Sequence, residues 1–212
     1  MAEKIERHAS ESRFMHWAHA LFMSLLIITG YGIYDGVYLF SDYATNISLH
    51  MIAAFGIIMV SVVLPIYFWI AKPAELKLSI IYPSDIGNFF TIALNFLGIT
   101  KKYPKYHVWN TKKREYSVKY HPAIKFIRWG DFFILILMAV TGLGLYYGHG
   151  TTLGFILNYW SLTLTRTIHL ACFYYFIFSL MAHIYLAVIP VNRSLLKSMI
   201  FGEDTGEDTV KI

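Results

Sequence analysis

Four stretches of this chain are long and apolar enough to cross a lipid bilayer as helices, which leaves few folds open. A helix needs about 20 apolar residues to pass the hydrocarbon core. Inside that core every backbone N–H and C=O must find a partner, and an α-helix satisfies them within one segment. The runs are Phe14 to Tyr34, Leu49 to Ala71, Phe126 to Tyr147 and Leu164 to Ile189. Composition agrees: 57% of the 212 residues are hydrophobic and 15% charged, where an ordinary soluble domain carries about a quarter charged residues. The expectation is an all-α, integral membrane four-helix bundle forming one domain over residues 1–212. A fifth run, Ser84 to Ile99, is shorter and interrupted by Asp85, Asn88 and Asn95. With Pro83 before it and Gly98 near its end, it reads as a short interfacial helix in the middle loop.

The remaining features narrow the classes further. The first 13 residues are polar and no small-residue cleavage site follows the first run, so no cleavable signal peptide is expected. A single cysteine, Cys172, excludes an internal disulfide and any cysteine-ligated metal cluster. There is no glycine-rich nucleotide motif and no repeat of fixed period, and no nucleic-acid partner is expected. The acidic EDTGED stretch after Gly202 reads as a solvated, mobile end.

Basic residues set an orientation, because Lys and Arg accumulate on the cytoplasmic side. Eleven of the eighteen lie between Lys72 and Arg128, and others flank the two termini (Lys4, Arg7 and Arg13; Arg193, Lys197 and Lys211). The other two loops hold none, apart from Arg166 where the last span begins. Both termini and the loop 72–125 are therefore expected on the cytoplasmic side of the cell membrane.

That orientation gives each histidine a depth. His16 falls near the inner end of the first span and His50 near the outer end of the second. In the last span His169 is near the outer face and His183 lies fourteen residues further in. At about 1.5 Å per residue those two are about 21 Å apart along the axis, and at about 100° per residue they are roughly 40° apart around it. Two levels result, each with two histidines from different helices: His16 with His183 on the cytoplasmic side, and His50 with His169 on the outer side. Ionisable groups within spans are costly and mark functional sites. Neutral imidazole is a good axial ligand for haem iron, and facing helices of a bundle are where such cofactors sit. The pattern predicts two haems, each between two histidines. His19, three residues after His16, competes with it as a ligand. His8, His107 and His149 read as solvent-facing. Glycines at 30, 32, 56, 142 and 144 let a flat macrocycle or a neighbouring helix approach. Arg13, Arg128 and Arg166 are the candidate partners for haem propionates, or else anchors for helix ends at the interface.

Several motifs resemble the cytochrome b (gamma) subunit of respiratory formate dehydrogenases. That subunit belongs to a wider group with the b-type cytochromes of nickel–iron hydrogenases, thiosulfate reductases and bacterial cytochrome b561. The motifs are RFMHW at 13–17, LH at 49–50, KYHPAIKFIRW at 119–129, VTG at 140–142, and IH followed fourteen residues later by HIYLA at 183–187. They run in order along the whole chain. The resemblance implies haem ligation by His16, His50, His169 and His183. It also implies menaquinone or another quinone near the cytoplasmic haem, in a pocket formed by Tyr120, His121, Ala123 and His183. His121 and Ala123 stand where the family has Asn and Gly. A histidine there also suits the proton traffic of quinone chemistry, although His-Pro is equally a natural start for a helix. The implied partners are an iron–sulfur subunit and a catalytic dehydrogenase or reductase subunit, with oligomerisation of the complex open. The chain itself would do no substrate chemistry beyond that at quinone. The rivals are a hydrogenase or thiosulfate/polysulfide reductase cytochrome, a solitary cytochrome b561 and, from another class, a histidine-lined metal transporter.

Overall fold

The computed structural model describes residues 5–104, 108–113, 115–204 and 210–211. His107 lies outside the described residues. Among the described residues four helical spans are long and apolar enough to cross a bilayer. They are α1 (Ser10–Asp35), a second span made of α2 (Tyr43–Ile58), a π-helical turn (Met59–Val63) and α3 (Leu64–Ala71), then α6 (Pro122–Tyr147) and α7 (Leu162–Val188). The 26 residues of α1 or α6 reach about 39 Å, beyond the about 30 Å of hydrocarbon.

Helix starts lie a few residues outside the apolar runs because polar residues cap them. Asp42 Oδ1 accepts from the Thr45 N–H at 2.8 Å, so α2 begins at Tyr43 rather than at Leu49. Backbone amide donors there hold the Asp42 carboxyl below its ordinary range. The middle loop carries two short helices, α4 (Pro73–Ser79) and α5 (Pro83–Phe96). Helix α5 is the expected interfacial helix. Asp85 accepts from the Tyr82 N–H at its start, and Gly98 at φ +73° turns the chain away at its end.

The described residues pack as two compact bodies, one made of Ser10–Tyr67 with Asp131–Met181, the other of the remainder. In the first body all four spans contribute to one core: Met23 and Leu26 from α1, Ala53 and Ile57 from α2, Leu135 from α6 and Phe176 from α7. Gly56 serves helix packing, since a Cβ there would come within 2.5 Å of the Phe22 ring.

In the second body, β1 (Ile5–Glu6) pairs antiparallel with β4 (Glu203–Asp204), after α8 (Arg193–Phe201) ends at Gly202 with φ +87°. The start of the acidic tail is thus a paired strand, and just before it the Arg7 and His8 amides both donate to the Gly202 carbonyl. His8 is buried, at 8% exposure, and does not face solvent as expected. Neighbouring Arg7 is buried too, donating to the Lys119 carbonyl with its guanidinium over the Tyr116 ring. His149 is exposed as expected. The hairpin β2 (Val108–Asn110) and β3 (Glu115–Val118) takes β5 (Val210–Lys211) as a parallel third strand.

Candidate functional site

Within the first body His50 and His169 line one cavity of about 350 Å³, enclosed by residues of all four spans. Its remaining wall is mainly aliphatic, including Leu26, Ala54, Leu135 and Met138. Two imidazoles on an otherwise apolar wall suit a flat apolar ring system carrying a metal.

The two histidines are held by matching surroundings. Thr29 Oγ1 on α1 lies 2.8 Å from His50 Nδ1, and Thr141 Oγ1 on α6 lies 2.9 Å from His169 Nδ1. Both threonines are fully buried. The residue after each is a glycine beneath the same ring: a Cβ at Gly30 would sit 3.3 Å from His50 Cε1, and one at Gly142 would sit 3.1 Å from His169 Cε1. These glycines make room for the imidazoles, where the sequence suggested room for a macrocycle or a helix. The correspondence weakens one step further on. A Cβ at Gly32 would meet the Val37 carbonyl at 3.0 Å and Asn46, four residues before His50, at 3.3 Å; one at Gly144 would collide with Ile156 and reach Thr165, four residues before His169, only at 3.8 Å.

This matching is written in the sequence as ITGYGIY at 28–34 and VTGLGLY at 140–146. Only VTG was singled out above, and Thr29, Thr141 and Asn46 were not. A search for a fixed period passes over a motif that occurs twice. Asn46 is fully buried and donates to the Thr29 carbonyl at 2.8 Å.

The other expected ligands fall as follows. His16 is half-buried on α1, its ring edge-on to Trp17 at 5.3 Å. His19, one turn later, has Nδ1 2.6 Å from Ser61 Oγ in the π-helical turn, the same imidazole–hydroxyl pairing seen at His50 and His169. π-Turns recur at functional sites. His183 is half-buried on α7 and belongs to the second body. Among the described residues no three His, Cys, Asp or Glu side chains gather as a metal-binding group.

Arg166 is exposed on α7, three residues before His169, and Arg13 is half-buried on α1. Arg128 is engaged inside the second body: Nη1 donates to Ser79 Oγ at 2.9 Å, and its guanidinium lies 5.7 Å from the centroids of both the Trp69 and Tyr120 rings.

His121 is buried at 1% exposure. Its Nδ1 accepts from the Ala123 N–H at 3.1 Å, capping α6 with Pro122 at the first helical position, and its Nε2 lies 3.1 Å from the Tyr103 hydroxyl. Nδ1 therefore carries no proton and Nε2–H is the donor. The Tyr103 ring contacts Phe96, and Phe96 contacts Tyr185 on α7, so aromatic side chains run from His121 to within two residues of His183. Tyr103, Phe96 and Tyr185 were not among the expected site residues.

Burial holds the His121 imidazole down to about 4. The unfolded chain, with an ordinary histidine near 6.5, then binds the proton that the folded chain refuses. Stability is therefore full above about 6.5 and falls as pH drops toward 4, by about 3 kcal/mol across that window. Thermal melts in detergent at pH 7.5, 5.5 and 4.5 should show this loss. His121→Asn, which keeps a capping acceptor, should flatten the profile; an unchanged slope in that variant would place the titration elsewhere.

The family model described as prokaryotic cytochrome b561 matches residues 7–202. The F420 non-reducing hydrogenase II cytochrome subunit of Methanosarcina mazei is 30% identical over 203 residues, covering 85% of this chain and 74% of that protein.

Proposed function

This chain belongs to the prokaryotic cytochrome b561 family of membrane proteins that bind b-type haem, and on that premise we propose that it is a di-haem electron-transfer subunit. It links a catalytic partner at the outer face of the cytoplasmic membrane to quinone near the cytoplasmic face. The single observation that carries this reading is the cavity with His50 and His169 on its wall, each imidazole seated between a threonine and a glycine of a neighbouring helix.

A b-type haem would supply reversible one-electron chemistry when bound, and holding it by two histidines would favour electron transfer over binding of oxygen. His50 and His169 would hold one such group, and His183 with His16 the second, His19 being the rival to His16. Arg166, on the same face of α7 as His169, is positioned to pair a propionate near the outer surface. Arg13 plays that part on the inner side. Arg128 is committed to Ser79, Trp69 and Tyr120, which leaves it the weaker candidate.

The quinone side of the proposal rests on His121, Tyr120, Ala123 and His183, and on the Nε2–H of His121 beside the Tyr103 hydroxyl. A quinone oxygen entering there would exchange one hydrogen bond for another. The catalytic partner is a separate chain with its own iron–sulfur centres, since this one has a single cysteine. The similarity to a hydrogenase cytochrome subunit favours a hydrogenase-type partner; the formate dehydrogenase type, first suggested by the motifs, is the alternative.

Pyridine haemochrome assay and dithionite-reduced minus oxidised spectra of the purified chain test the reading. Two b haems per chain are expected, reducible by a menaquinol analogue. Absence of haem would defeat it, and haem that no quinol reduces would remove the quinone part.

A further inference from the structure

We propose that Thr29 and Thr141 are a matched pair of positioning residues, which fix His50 and His169 in the tautomer that leaves the Nε2 electron pair of each free for a metal. The inference rests on the haem reading above and goes beyond it by assigning the residues that prepare the ligands.

A threonine hydroxyl has one hydrogen to give. Thr29 Oγ1 lies 2.6 Å from the Leu25 carbonyl, one helical turn back. Two oxygens at that separation need a hydrogen between them, since facing lone pairs would repel. Thr141 Oγ1 likewise sits 2.9 Å from the Leu137 carbonyl and 3.0 Å from that of Met138. In each case the hydroxyl hydrogen belongs to the helix backbone, and the oxygen presents a lone pair to the histidine. His50 Nδ1 at 2.8 Å and His169 Nδ1 at 2.9 Å must then be the donors. With the proton on Nδ1, Nε2 of a neutral imidazole carries the free pair a metal requires.

The surroundings keep this arrangement in place. Both threonine side chains are fully buried, so no water competes for the histidine proton. Gly30 and Gly142 leave the rings a slot in which any Cβ would sit 3.1 to 3.3 Å from Cε1. On the α1 side Asn46 also grips the Thr29 carbonyl. A hydrogen bond from the far nitrogen of a ligating histidine raises its donor strength and fixes its orientation. A stronger donor stabilises the ferric state, so these contacts lower the potential of the metal they serve.

The test is redox potentiometry with optical detection, together with EPR of the ferric low-spin signals, on the purified protein and its Thr29→Val, Thr141→Val, Thr29→Ser and Thr141→Ser variants. Each threonine is judged on its own histidine. Valine removes the acceptor at similar size and should shift the oxidation equilibrium of one haem about three- to tenfold toward the reduced form, tenfold being 59 mV. The second haem should stay where it is, and serine should restore the wild-type value. Selective loss of that haem from the valine variant, with retention in the serine variant, is a stronger form of the same result. Two haems with unchanged potentials and EPR signals in the valine variants would overturn the assignment. So would loss of the haem from the valine and serine variants alike, because serine keeps the hydroxyl. Absence of haem from the wild-type chain would overturn the reading beneath it instead.

Discussion

Replacing His169 with alanine is expected to cut the haem content of the purified chain from two b haems to one, and His50→Ala should remove the same haem. The two imidazoles share one cavity, so losing either would leave a haem held there with one histidine in place of two. The void adds apolar volume that no other histidine lines. Met51 and Met138 do line it, however, and a thioether is a competent axial ligand that raises the haem potential. Haem counts must therefore be paired with potentials. A retained haem with a raised potential would mean that methionine has taken the vacant place, and it would still identify the histidine as the native ligand. Two haems with unaltered spectra and potentials in either variant would sink the assignment. His183→Ala should remove the other haem, and His16→Ala beside His19→Ala decides between those two. A double variant, His50→Ala with His183→Ala, should contain none. Circular dichroism keeps the test interpretable: helix content should hold, because the core around Met23, Ile57 and Phe176 contains neither histidine.

The spans were legible because bilayer thickness demands a long apolar run whatever the tertiary contacts, and the chain has four such runs with a basic loop between the second and third. Helix ends were less so. Polar residues such as Asp42, Asn46 and His121 look like loop in a hydropathy profile, yet they cap or extend α2 and α6. Short-range pairing in the second body was invisible for a different reason. β1 meets β4 across nearly the whole chain, and nothing local in an IE or an ED dipeptide announces a partner. His8 was misjudged because its burial depends on that same long-range packing. At the site, reasoning from depth paired His50 with His169 and the structure places both on one cavity. Their supports, Thr29 and Thr141, escaped notice because a threonine in an apolar helix is usually a bystander bonded to its own backbone. Both are so bonded here, and the further contact to histidine appears only when helices pack. Its one trace in the sequence is comparative, the likeness of ITGYGIY to VTGLGLY.

Asp85→Ala should be the most destabilising single change in the middle loop, by about 3–5 kcal/mol. Asp85 Oδ2 lies 2.9 Å from Lys125 Nζ, and the two side chains are only 9% and 7% exposed. Lys125 also donates to the Ile80 carbonyl at 3.2 Å, and Asp85 accepts from the Tyr82 N–H at 2.9 Å. Removing the carboxylate strands an ammonium in a place that water does not reach, and it uncaps α5 in the same step. The residues around the pair act together. Lys125, Arg128 and Trp129, from the first turns of α6, hold Ile80 and Ser79, where α4 gives way to α5. The ion pair thus fastens the interfacial helix to the start of the third span, next to His121. Lys125→Met should cost a comparable amount, since it leaves the carboxylate unpaired. The double variant Asp85→Leu with Lys125→Met should recover much of the loss, because a buried pair replaced by apolar groups is often neutral or stabilising. Thermal melts in detergent of the wild type, Asp85→Leu, Lys125→Met and the double variant give the coupling energy as a double-mutant cycle. Single variants within about 0.5 kcal/mol of wild type would mean that the pair is solvated in the membrane-bound protein. A large coupling would mean that any movement of α5 must carry the start of α6, and with it His121.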